Sequence, residues 1–417
     1  MNRFLILGLL LFPVASSSGS ESADATIFET PKVWQASVFL PGSTMRGEGW
    51  QIDPTVSNDG IYNTWGITST VGLYHITGDE RLLELIREVQ ATIRLHEISK
   101  GREFAEGFAD AGKAQWESIK GVAKDPVGTV TKLPQGAGRF LGRVGSTVKH
   151  AVQGQLDTSN TGSPEQAARH FLGIEKAKRL IAAELGVNPY SKNQALQKVL
   201  DEVAMVRAFG KLTVNIGSAI VVPVTAGWVL TGTNVASALT QEQVAATPGE
   251  LVAANRKRAL ASGISEASFE ALNSNPHYDP WTLTAIWNSL SAMAPVDPAV
   301  YLGLAAGAST DLDAFFFLRV AQTMSLLQSR GAKIQELLPL SFTVACVTQD
   351  GSLIVPLWLD YAIWTPEAKA AAMELQDLAT DRKAASVHVV TTGDFSPIAA
   401  EQLKAMGIQT HPHSRIP

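Results

Sequence analysis

A single cysteine, Cys346, stands among the 417 residues. That excludes an intramolecular disulfide framework and a zinc site built on cysteine. Charge is sparse as well: Asp, Glu, Lys and Arg make up 18% of the chain, with a formal net charge of −5. A mildly acidic total excludes a dedicated nucleic-acid binder with a globally basic surface, though it leaves room for a local basic patch. Reaction signatures are missing. There is no Gly-x-Ser-x-Gly elbow, no complete phosphate-binding loop and no cofactor motif. His75, His96, His150, His170, His277 and His388 are scattered singly, with no His-x-x-x-His or His-Glu pairing at helical spacing. The His411-Pro-His413 pair stands alone near the C-terminus, so no metal site is expected there.

What is present is ordinary globular material. Hydrophobic residues make up 45% of the chain and aromatics 7%, enough for a core, and the length suits roughly two to three domains. Met1-Asn-Arg3, the apolar run Phe4–Ala15 and the small residues Ser16–Ser20 have the charge, core and exit of a secretory signal peptide over residues 1–20. The run is shorter than the about 20 apolar residues that a bilayer crossing needs. Export to periplasm or medium is the expectation.

The fold expected is α+β and predominantly α-helical. A small N-terminal antiparallel β element (21–78) carries a hairpin at Asn58-Asp-Gly60 and a strand Gly72–Ile76, since Asp-Gly tolerates the positive φ of tight turns. Residues 79–160 hold a helix and a Gly/Lys-rich segment. Thr77-Gly-Asp-Glu80 has the spacing of a capping box. Leu82, Leu85, Ile86, Val89 and Ile93 form one face of that helix, which packs on the preceding sheet, with Glu84, Arg87, Glu88 and Arg94 on the other face. A central helical domain (161–330) opens at Ser163-Pro164. Further helix starts stand at Thr247-Pro-Gly-Glu250, Ser265, Asp279-Pro280 and Asp297-Pro298. A C-terminal α+β module (331–417) begins with a hairpin of Leu340–Val347 and Ser352–Leu359, followed by helix, strand, helix and strand.

Three features carry functional expectations. Between Lys120 and His150 the cations Lys120, Lys124, Lys132, Arg139, Arg143 and Lys149 face Asp125 alone. Glycines and apolar residues such as Phe140 recur between them. Lys120, Lys124, Lys132, Arg139, Phe140 and Arg143 are thus the expected contact, within 101–150, with an anionic membrane surface or an envelope protein. In the loop Thr391–Pro397, Thr392, Gly393 and Ser396 offer amides and hydroxyls at a helix start, a candidate anion site competing with a plain N-cap. Asp360 and Asp394 are the candidate catalytic carboxylates, Asp360 competing with a capping role. The leading expectation is an exported cell-envelope binding or scaffolding protein without a cofactor. The alternatives are a secreted enzyme with a cleft between the helical and C-terminal modules, and a membrane-inserting protein using the uncharged stretch 212–241.

Overall fold

The computed structural model describes residues 28–40, 42–101, 164–208 and 235–414. The signal-peptide segment, the cations Lys120, Lys124, Lys132, Arg139 and Arg143 with Phe140, and the stretch 212–234 lie outside the described residues. Among the described residues, no helix is long and apolar enough to cross a membrane.

The N-terminal unit is a six-stranded sheet: β1 (Lys32–Gln35), β2 (Arg46–Gly47), β3 (Trp50–Ile52), β4 (Thr55–Asn58), β5 (Asn63–Ser69) and β6 (Gly72–Thr77), in the order β1-β4-β5-β3-β2 with β6 also on β5. All of its pairings are antiparallel. β5 is central. One edge takes β6 along its whole length, and the other takes β4 at Asn63 and Thr64 and β3 at Ile67–Ser69. β3 and β4 therefore act as one strand interrupted at Asp53-Pro54, where proline cannot donate to the ladder. The hairpin turn falls at Asp59–Tyr62. Gly60 supplies a φ of 113° there, and the Asp59 carboxylate accepts the amides of Ile61 and Tyr62. Trp50, Ile52, Val56, Trp65 and Ile67 form a core with one face of α1 (Asp79–Lys100).

α1 departs from expectation in two ways. The capping box does not close: the helix begins at Asp79, its N-cap is Gly78, and no side chain of the local sequence caps it. The Thr77 hydroxyl bonds Thr64, and Glu80 turns to Arg319. The covered surface is also wider than the single expected stripe. Leu83, Ala91, Thr92 and Leu95 are buried beside the expected stripe, because α1 packs on the sheet at one side and on a helix pair at the other. Glu84, Arg87, Glu88 and Arg94 are consequently only partly accessible.

That pair is α2 (Pro164–Leu185) and α3 (Gln194–Ala208). Ile174, Ala177, Ile181 and Leu185 meet Leu196, Val199, Leu200 and Val203, and Ala91 and Leu95 of α1 close the cluster. α2 ends as its sequence suggests, with Gly186 at φ 68° and Val187 N–H bonded to Ala182 O, a Schellman turn. The helical body continues with α4 (Gln241–Ala245), α5 (Pro248–Ala261), α6 (Glu266–Asn273), α7 (Pro280–Ser291), α8 (Ala299–Ala305) and α9 (Asp311–Ser329). Here local chemistry sets the boundaries. Thr247 and Glu250 close a capping box on α5, Ser265 caps α6, and the Asp279 carboxylate accepts two amides at the start of α7.

The C-terminal sheet contains β7 (Ile334–Pro339), β8 (Val344–Thr348), β9 (Leu353–Leu357), β11 (Val387–Thr391) and β13 (Ile408–His411), in the order β13-β11-β9-β8-β7. β7 was not anticipated. It joins the β8–β9 hairpin antiparallel, while β9, β11 and β13 run parallel, linked by α10 (Pro366–Arg382) and α11 (Pro397–Ala405). The Ile334–Pro339 run escapes a period-2 reading because its burial is irregular, with a bulge between Ile334 and Glu336. One face of the sheet packs α10 and α11 through Leu338, Ala345, Val355 and Val389. The other packs the helical body through Ile334, Leu337, Val344 and Val390. Cys346 points into that second core, where burial pushes its thiol up to about 12, so it is an inert packing residue. The short β10 (Tyr361–Ala362) and β12 (Asp394–Phe395) pair beside this sheet.

The fold is described by an α+β architecture dominated by helix, with small sheets at its two ends. Gly78, between β6 and α1, is a tightly constrained junction: φ is 103°, and an added Cβ would lie 2.7 Å from the Trp358 ring. Gly78→Ala is expected to lower the unfolding free energy by about 1–3 kcal/mol from backbone strain alone, with the ring clash added. Urea denaturation of the two proteins measures it.

Candidate functional site around the first turn of α1

The first turn of α1 is where the parts of the chain meet. Asp360 lies between β9 and β10, held there by backbone bonds to the N-terminal hairpin: the amides of Asp360 and Tyr361 donate to Ile61 O, and Ile363 N–H donates to Gly60 O. The Tyr62 hydroxyl closes the same seam by donating to Trp358 O. From this position the Asp360 carboxylate accepts the amide of Asp79 at 2.9 Å and the amide of Asn63 at 2.8 Å. A side chain 281 positions away thus serves as the N-cap that the local sequence fails to provide. Its negative charge faces the positive end of the helix dipole.

Asp79 occupies the first helical position beside it. Its Oδ1 accepts from the Trp65 indole at 2.7 Å and from the Asn63 amide group at 3.1 Å. The Asn63 carbonyl oxygen in turn accepts from Asn58, whose other bond goes to Tyr361 O. Glu80, the next residue, is buried at 3% exposure and forms a two-pronged ion pair with Arg319 of α9, at 2.6 and 3.0 Å. Two consecutive residues of one helical turn therefore engage the N-terminal sheet, the C-terminal module and the helical body.

Electrostatically this is a buried pair of carboxylates. Burial raises the Asp360 and Asp79 carboxyls above the ordinary range, and for Asp360 the neighbouring Asp79 charge pushes further in the same direction. The two amides that Asp360 accepts pull the other way. Carboxyls raised in this way keep a proton to a higher pH than isolated carboxylates do. One turn further along α1, burial and the nearby Glu88 push Glu84 up to about 8, against the attraction of Arg81 and Arg319. Glu88 is raised mainly by burial, while Ser191 and Asn193 hydrogen-bond its carboxylate.

The expected site residues are placed differently from one another. Asp360 sits at this junction, 6% exposed. Asp394 is adjacent to it only through the backbone: its N–H donates to Asp360 O, while its carboxylate turns outward to His413 Nε2 at 3.0 Å. The carboxylate facing Asp360 is Asp79. In the candidate anion loop the hydroxyls and amide are engaged within the chain. Thr392 donates to Leu359 O, Gly393 N–H donates to the Thr391 hydroxyl, and Ser396 caps α11 through Ala399 N–H. Gly393 lies so close to the Asp360 carbonyl that a Cβ would stand 2.0 Å from it. An anion does sit at that helix start, and it is the chain's own: the Glu29 carboxylate accepts from Ser396 Oγ and from Trp364 N–H.

Asp79, Glu84 and Arg319 carried no functional expectation from sequence. The available signal was the doubled apolar pairs Leu82-Leu83 and Leu85-Ile86, which widen the stripe of α1 beyond a single packed face. On the outer edge of the C-terminal sheet, His388 Nδ1 meets His411 Nε2 at 2.9 Å, with Ser386 on the far side of His388 at 2.7 Å. Burial lowers both histidines, so the pair is held neutral. Among the described residues, no group of three or more His, Cys, Asp or Glu is placed to hold a metal ion.

Compared with known proteins, the chain matches no protein family, no curated protein and no solved structure. Its function is therefore argued from its own residues.

Two outcomes test the junction. Asp360→Ala strips the acceptor from two buried amides, each worth about 1–3 kcal/mol when orphaned. Asp360→Asn keeps one acceptor, so its urea midpoint should lie between those of Asp360→Ala and the parent. For Glu84 the folded value near 8 exceeds the ordinary 4.5, so its stabilising contribution is full at low pH and is lost as pH rises through about 8. The lowered histidines add a slope of the opposite sign that fades about one unit above their ordinary 6.5, and because the parent and the Glu84→Gln variant share them, the difference between the two profiles isolates Glu84. Denaturation between about pH 6.5 and 8.5 should therefore show the stability of the parent falling relative to that of Glu84→Gln.

Proposed function

We propose that this chain is an exported binding or scaffolding protein of the cell envelope, working in the periplasm or outside the cell. Its contact with an anionic membrane surface or an envelope protein runs through the basic segment 101–150. The observation that carries the reading is charge asymmetry. Six cations face a single acid between Lys120 and His150, in a chain whose net charge is −5. Each cation brought to an anionic surface contributes about 1 kcal/mol, and the interleaved apolar residues add burial at the headgroup boundary. The cationic, apolar and small-residue order of residues 1–20 supports export. The junction described above supports a non-catalytic role for Asp360, because both of its oxygens serve backbone amides that would otherwise be orphaned.

A secreted enzyme is the second reading, and one observation favours it. The Asp79–Asp360 pair retains a proton above the ordinary carboxylate range, as acid–base pairs in enzymes do. Asp79 is the more accessible of the two.

Co-sedimentation with vesicles containing anionic lipid tests the first reading. The mature protein should bind, and binding should fall at least about tenfold when Lys120, Lys124, Lys132, Arg139 and Arg143 are all replaced by Gln. Equal binding by the two proteins, or none by either, removes the lipid version. Affinity capture of an envelope protein that survives the five substitutions removes the segment as the contact.

A further inference from the structure

Beside the junction, three aromatic rings from two distant segments of the chain meet at the surface. Trp34 of β1, Phe39 just beyond it and Tyr361 of β10 stand edge to face in every pairing. The ring centroids are 5.9 Å apart at 82° for Trp34–Phe39, 5.9 Å at 81° for Trp34–Tyr361, and 5.6 Å at 70° for Phe39–Tyr361. All three are half-buried, whereas Trp65 behind them, 6.3 Å from Phe39, is fully buried. A trio of large rings left partly open above a closed core is an unusual use of aromatic surface, since such rings are worth most when covered.

Charge around the trio is specific. The Lys32 ammonium lies 3.7 Å from the Trp34 ring centroid, so a cation already rests on one of these rings. Burial raises the Tyr361 phenol, and the nearby Glu29 and Asp394 carboxylates add to the rise. Glu29 is fixed by Trp364 N–H and Ser396 Oγ, and Asp394 by His413. Among the described residues the buried Trp34 indole nitrogen has no hydrogen-bond partner, so the ring is placed for its face and not for its N–H.

We propose that Trp34, Phe39 and Tyr361 form a recess for a quaternary ammonium group, with Lys32 as an internal cation that the ligand displaces. A quaternary ammonium is bulky and weakly hydrated, so it gives up less water than a lysine ammonium on reaching a π-face, and it presents apolar methyls to the neighbouring rings. Glu29 and Asp394 supply the opposite charge at the rim. The recess spans β1 and β10, so a bound ligand also bridges the N-terminal sheet and the C-terminal module. This inference is independent of the basic segment and does not need it.

Ligand-observed NMR with tetramethylammonium chloride, against sodium chloride at matched ionic strength, tests it. Saturable binding is expected in the parent protein and several-fold tighter binding in Lys32→Ala, whose side chain is exposed and whose loss leaves the packing intact. Trp34→Leu should abolish binding and Phe39→Leu should weaken it, each judged folded by its urea midpoint. Choline in solution and phosphatidylcholine vesicles, compared in the same variants, distinguish a free cation from a lipid headgroup. Absence of saturable binding in both the parent and Lys32→Ala overturns the proposal, as does unchanged binding in a folded Trp34→Leu.

Discussion

A helix start needs acceptors for its first amides, and α1 has none nearby. Gly78 precedes it, Thr77 is committed to β5, and Glu80 is committed to Arg319. The missing acceptor arrives from Asp360, which can reach only if the β9–β10 segment lies against the Gly60–Asn63 turn. The helix therefore cannot be properly terminated until the C-terminal module has docked. In this way a local hydrogen-bonding deficit becomes a constraint on the arrangement of the whole chain.

The same junction concentrates buried charge. Three acids fall on consecutive or facing positions, Asp79, Glu80 and Asp360, and among the described residues Glu80 is the one in an ion pair with a guanidinium. Taking ions out of water is costly unless each is paired or hydrogen-bonded, and here the deficit is met by proton uptake and by donors from Trp65, Asn63 and two backbone amides. Partial protonation keeps the repulsion low and leaves the junction sensitive to pH. The His388–His411 pair, lowered by burial, has the opposite pH sense, so the acid pair and the histidine pair respond to pH in opposite directions.

The aromatic recess lies on the same seam as Asp360. Tyr361 follows Asp360 directly, and Phe39 touches Trp65, which donates to Asp79. The seam between the two sheets thus carries both the structural acid pair and the open rings. A ligand at the recess would act on contacts already spanning these parts of the chain.

Much of the architecture was legible in the residues themselves. Helix starts such as Thr247–Glu250, Ser265 and Asp279-Pro280 carry their caps within three residues, and the Asp59-Gly60 turn fixes its hairpin by local geometry. These succeed because donor and acceptor are neighbours in sequence. The cap of α1, the burial of Glu84, the partner of Glu80 and the meeting of Trp34 with Tyr361 depend on residues tens to hundreds of positions apart. β7 likewise becomes a strand by pairing with β8, not by its own alternation. Asp360 looks in sequence like any carboxylate ending a strand. Only the docking of one sheet's turn against the other's edge decides that it faces a helix terminus and a second acid, because hydrogen bonds and desolvation act through space and not along the chain.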